Sequence, residues 1–233
     1  MKIIMNLLKK GIIVIIGFGV ALVCYSISVT ACESIMELSN GRGILRIILL
    51  DNDATIYQYI DKSNYLLYLP TFIFFYVAIV CTNQSLFSCS SNALQMQMLR
   101  FGSMKHWFLY RIRYIAIDNF LYIVGFGVGC ICLPDISIDS KLFFCVTLRM
   151  IWCLVFSCLI IYVTRRKSLS AGVFVAFFAS VIIIIVDESL SNVSLISYSF
   201  DMKAIVIGIW CTAIVSILCF FMVVHKIYKK EVL

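Results

Sequence analysis

The chain has 233 residues, of which 63% are hydrophobic and only 13% charged, with a mean hydropathy of +1.04. Soluble domains carry about 25% charged residues, so a water-soluble fold is excluded and lipid is the expected solvent. The net charge of +7 does not point to nucleic acid, because the bases gather beside apolar runs, where they set orientation and meet anionic headgroups.

Residues 1–10 place Lys2, Asn6, Lys9 and Lys10 on one helical face and Ile3, Ile4, Leu7 and Leu8 on the other. This pattern fits an amphipathic lead-in lying on the membrane surface and equally a charged flank of the first span. That span is predicted over 11–31. Val29-Thr30-Ala31-Cys32 has the look of a lipoprotein cleavage site, but the apolar run exceeds the core of about 7–15 residues of a signal peptide, so a membrane span is expected.

Residues 32–64 form the longest loop, in which 43–50 is too short to cross and is expected at the outer interface or packed on neighbouring spans. The second span is predicted over 65–87. Pro70 falls in its first turns, where a missing N–H costs little. Asn83 and Gln84 make its inner end polar; they are candidates for lining a cargo path, weighed against a helix simply leaving the bilayer.

The stretch 92–113 carries Arg100, Lys105, Arg111, Arg113 and His106 and no acid. Lying between two spans, it belongs on the cytoplasmic side. The third span is predicted over 114–133. Its Gly125 and Gly129 share a face four residues apart, which permits close helix packing. The fourth span is predicted over 142–163, the fifth over 168–186 and the sixth over 204–224. Spans of about 20 residues cross about 30 Å of hydrocarbon. The expectation is an all-α polytopic membrane protein, one transmembrane domain over 1–233 with six transmembrane helices and both termini cytoplasmic. Basic residues support the orientation: thirteen of the 19 lie on the proposed inside, five on the outside and Arg149 within a span.

Asp118 and Arg149 are the firm charges within spans, and such residues are functional candidates by default. By helical rise they differ in depth by roughly 10–15 Å. Asp118 is therefore expected to pair with Arg111 or Arg113, and Arg149 to face a polar interior or a subunit contact. Most of the 11 cysteines lie in apolar runs and act as small hydrophobes; no metal ligand set is expected. There is no phosphate-binding loop, no H-E-x-x-H and no G-x-S-x-G. Asp187-Glu188 lacks a companion histidine and is expected to be a solvated loop edge. No catalytic residue is assigned.

Arg100-Phe101-Gly102-Ser103, followed by Lys105 and Trp107, resembles the coupling segment of type-2 ATP-binding-cassette (ABC) exporter permeases, of the kind found in bacteriocin-immunity and peptide-antibiotic resistance systems. The six spans with both ends inside are similar as well. The base that commonly follows the serine is replaced by Met104. The resemblance implies a chain of the bacterial plasma membrane that forms half a translocation path, completed by a second, identical or related permease. Two copies of an ABC ATPase subunit would hold the ATP and Mg and dock on 92–113. Phe101 and Trp107 would supply apolar anchors, Arg100 and Lys105 would meet acids, and Gly102-Ser103 would turn the chain. The implied cargo is peptidic or amphipathic. Competing readings are the substrate-binding membrane subunit of a vitamin importer, which leaves the basic loop unexplained; an intramembrane protease, whose converging acids and histidines are lacking; and a stand-alone immunity protein binding a toxin through acidic outer loops.

Overall fold

A computed structural model describes residues 2–32, 68–84, 96–97, 99–133, 140–166, 169–190, 195–196 and 202–228. Six helices account for most of them: α1 (Lys2–Cys32), α2 (Leu69–Thr82), α3 (Met104–Ile131), α4 (Ser140–Arg166), α5 (Leu169–Ser189) and α6 (Met202–Tyr228). They fall on the six apolar runs. Four contain stretches long and apolar enough to cross a membrane: Leu7–Val29, Lys105–Ile131, Phe144–Val163 and Met202–His225. α2, at 14 residues, covers only about 21 Å at 1.5 Å per residue. The interface segment expected over 43–50, the ends of the predicted second span (65–67 and 85–87) and loop positions 92–95 lie outside the described residues.

α1 settles the two readings of the N-terminal stretch. It is one unbroken helix through Lys9, Lys10 and on to Cys32, so the basic segment is a flank of the first span, with Leu7 and Leu8 exposed. The expected use of Gly125 and Gly129 is seen where α1 meets α3. A Cβ at Gly125 would collide with the Val14 carbonyl, and one at Gly129 would come within 2.6 Å of the Ala21 Cβ. From α1, a Cβ at Gly17 would strike the Tyr122 carbonyl. Lipid gives helices no hydrophobic reason to associate, so backbone-close packing through small residues does this work. The order of contacts, Val14 with Gly125 and Ala21 with Gly129, makes the two helices parallel.

α2 begins with Pro70 in its first turn, where the lost N–H has no helical acceptor anyway. Its buried residues Pro70, Thr71, Phe74, Phe75, Ala78, Ile79 and Thr82 recur at helical spacing, and it packs among α1, α3, α4 and α5. Phe74 meets Phe126 edge-on at 4.7 Å, and Tyr122 Oη donates to the Phe74 carbonyl at 3.2 Å. α4 is the most enclosed of the four long helices and α6 the most peripheral; α6 packs chiefly on α4. Buried serines satisfy their hydroxyls within their own helices: Ser28 on Cys24 O, Ser157 on Cys153 O and Ser180 on Ala176 O, each at 2.8 Å. In a medium without water this self-satisfaction lets a polar residue sit in a span.

Candidate functional site

The basic segment turns sharply before α3. Gly102 has φ 64°, a left-handed conformation that glycine adopts without a side-chain penalty, and its N–H donates to the Leu99 carbonyl at 3.2 Å. Ser103 is extended and caps α3: its Oγ accepts the His106 N–H at 3.3 Å, satisfying one of the orphan donors of the first turn. Arg111 ties the approach segment to the helix by donating to Gln97 Oε1 at 2.6 Å. Arg100, Phe101 and Lys105 are exposed at this elbow. An aromatic ladder continues along α3, Phe101 to Tyr110 at 4.9 Å and Tyr110 to Tyr114 at 4.7 Å.

Trp107 departs from its expected role. It is 1% exposed and lies with Phe108, Ile115, Cys158, Ile161 and Val223 in a cluster where α3, α4 and α6 meet. It cannot offer a surface to a docking partner; it fixes the elbow to the bundle. Phe101, 37% exposed, is the apolar side chain that remains on the surface.

Arg149 is fully buried in α4. Its Nε donates to the Ile196 carbonyl at 3.0 Å and its Nη2 to Thr71 Oγ1 at 3.2 Å. The guanidinium lies 5.3 Å from the Phe74 ring and 5.9 Å from the Phe75 ring, so aromatic faces replace part of the lost hydration. Asp187 overturns the expectation of a solvated loop edge: it is 2% exposed. Its Oδ1 accepts the Leu195 N–H at 2.6 Å and the Ile196 N–H at 3.1 Å. A carboxylate at the end of an apolar run needs donors once it leaves water, and two backbone amides of the following loop supply them. Leu195 and Ile196, 4% and 0% exposed, stand out as an aliphatic pair within a serine-rich loop, which was the available signal for this insertion.

The remaining sequence candidates separate. Asn83 is fully buried at the end of α2 and joins it to α4, with Nδ2 donating to Ser157 Oγ at 2.9 Å and to Ile79 O at 2.8 Å. Gln84 is exposed. Asp118 is partly buried, and Lys10 of α1 is a cation near enough to act on it. Asn119, one residue on, is fully buried and ties α3 to α4 through the Met150 carbonyl at 3.0 Å; the sequence reading passed over it. Among the described residues the structure thus forms two centres, the basic elbow at the start of α3 and the Arg149–Asp187 network between α2, α4 and α5. It gathers no cluster of three or more His, Cys, Asp or Glu suited to a metal ion among those residues.

A chain whose described elements are all helices, four of them able to cross a bilayer, with charged side chains held inside the bundle, has the build of a helical membrane protein. No family model matches the chain, and neither a curated protein nor a solved structure matches it.

Proposed function

We propose that this chain is the membrane-spanning subunit of an ATP-driven exporter of the type-2 ABC class. In this reading all six helices cross the bacterial plasma membrane with both termini in the cytoplasm. The chain forms half of a translocation path for peptidic or amphipathic cargo, and a second permease completes it. ATP and Mg belong to a separate ATPase pair that docks on the elbow.

The observation that carries the reading is the elbow's construction. A cationic, partly aromatic surface (Arg100, Phe101, Lys105) is joined through Gly102 to a capped helix. The first turn of that helix is wedged by Trp107 and Phe108 against α4 and α6. A push on such a part is delivered to the bundle because its base cannot yield independently: packed interiors resist compression and transmit displacement. The exposed bases suit an acidic groove on the partner.

The test is purification of the chain from native membranes under mild detergent. An ABC ATPase that co-purifies with the unaltered chain, and is lost when Arg100 and Lys105 are both changed to Glu, supports the reading. A chain that carries no ATPase in either form defeats it.

A further inference from the structure

The Arg149–Asp187 network treats one loop residue as a ligand. Ile196 is held at both of its backbone groups: Asp187 Oδ1 accepts its N–H and Arg149 Nε–H donates to its carbonyl. Asp187 also takes the preceding amide, that of Leu195, and Cys145 Sγ lies 3.1 Å from the Ile196 carbonyl. These are main-chain contacts, of a kind that any peptide can make. The side chains of Leu195 and Ile196 are enclosed by the bundle, in one apolar core with Phe74, Phe75 and Ile183. A donor for C=O, an acceptor for N–H and an aliphatic enclosure together recognise a peptide segment without reading its polar side chains.

We propose that Arg149, Asp187 and Thr71 form a peptide-binding site between α2, α4 and α5, that Leu195–Ile196 fills it as an internal ligand, and that its external ligand is a peptide segment bearing adjacent aliphatic side chains. The two charges sit at a depth where hydrogen bonds to ionised groups are strong and their loss is expensive. The loop, or a peptide that makes the same bonds, therefore stabilises the site by filling it. A tethered occupant competes at high effective concentration, so the affinity for an external peptide falls by the fraction of time the site is vacated. This deepens the exporter reading by naming a cargo class, but the binding itself needs no ATPase, so the two proposals fail separately.

The test uses the full chain in lipid nanodiscs and a blocked, dye-labelled peptide copying residues 192–198, with fluorescence anisotropy as the readout. Changing Leu195 and Ile196 of the chain to Ser weakens the internal ligand without touching the site. It should tighten peptide binding by about tenfold or more. Adding Arg149→Gln should abolish the binding, as should placing Ser at the two aliphatic positions of the peptide. Asp187→Asn keeps an acceptor oxygen and guards against misfolding: a monodisperse Asp187→Asn chain should bind the peptide several-fold more weakly. Three results overturn the proposal: no binding by the Leu195→Ser, Ile196→Ser chain, equal binding of the aliphatic and serine peptides, or binding indifferent to both Arg149→Gln and Asp187→Asn.

Discussion

The carbonyl of Val14 occupies the space that a side chain on Gly125 would need. α1 and α3 are thus in contact at their backbones, and the missing Cβ atoms of Gly125, Gly129 and Gly17 set their separation. Gly125→Ala forces the helices apart or bends them, an overpacking cost of about 1–3 kcal/mol. Gly127, two residues on in the same helix, has nothing within 4 Å of its would-be Cβ. Gly127→Ala should be neutral or stabilising by a few tenths to about 1 kcal/mol, since alanine is the better helix former. Thermal unfolding of both variants in the same detergent checks the contrast. Equal effects at the two positions would mean that the α1–α3 contact is misassigned.

Arg149 and Asp187 are coupled through Ile196, so their substitutions should not add. Arg149→Met removes the donor that the Thr71 hydroxyl and the Ile196 carbonyl share, and leaves the carbonyl the weaker Cys145 thiol. Hydrogen bonds to a charged group count about 1.5–3 kcal/mol each, so a loss of about 3–6 kcal/mol is expected for the two. Asp187→Asn keeps an oxygen for the two amides and should lose about 1–2 kcal/mol, the difference between charged and neutral acceptors. In the double variant the sum should be undershot by at least about 0.5 kcal/mol. Denaturation of the four chains of this cycle measures the coupling, and strict additivity would show that the two residues act independently.

The residues that betrayed the fold and those that hid the site differ in a physical way. Helix positions follow from apolar length, and the six helices sit where runs of Ile, Phe, Val and Leu last long enough. Gly125 and Gly129 announced their contact because spacing on one helix determines a shared face. Arg149 announced that it needed partners, since charge in a span is costly, but not which ones. Those partners are a backbone carbonyl in a loop 47 residues away and a threonine 78 residues away, and backbone groups leave no trace in a sequence. Asp187 misled for the complementary reason: an acid at a span's end reads as solvated unless a loop folds back over it. Trp107 misled because the resemblance cast it as a surface anchor, whereas its helix turns it inward to Cys158 and Val223.

Gly102 tests the elbow without altering any packing, because a Cβ there meets nothing within 4 Å while its φ is +64°. The cost of a side chain is therefore one of backbone conformation alone, about 1–2 kcal/mol for most residues and less for Asn, which tolerates the left-handed region. If the chain is the proposed exporter subunit, Gly102→Asn should keep stability and ATP hydrolysis by the partner ATPase near those of the unaltered chain, while Gly102→Val should reduce both, with hydrolysis falling several-fold. Measuring hydrolysis in the reconstituted complex separates the two; a Val variant that couples normally would remove the turn from the mechanism.

The proposed orientation can be tested on exposed residues that the helices place at opposite ends of the bundle. Lys105 begins α3 and Ser189 ends α5, and both are exposed. If cations mark the cytoplasmic face, position 105 lies inside and position 189 outside. With the native cysteines replaced, Ser189→Cys in intact cells should react with a membrane-impermeant maleimide. Lys105→Cys should react only after the membrane is opened. Labelling of position 105 from outside would invert the topology and move the elbow to the face where no ATP is present, which would end the exporter proposal. It would leave the peptide site at Arg149 intact, but facing the cytoplasm.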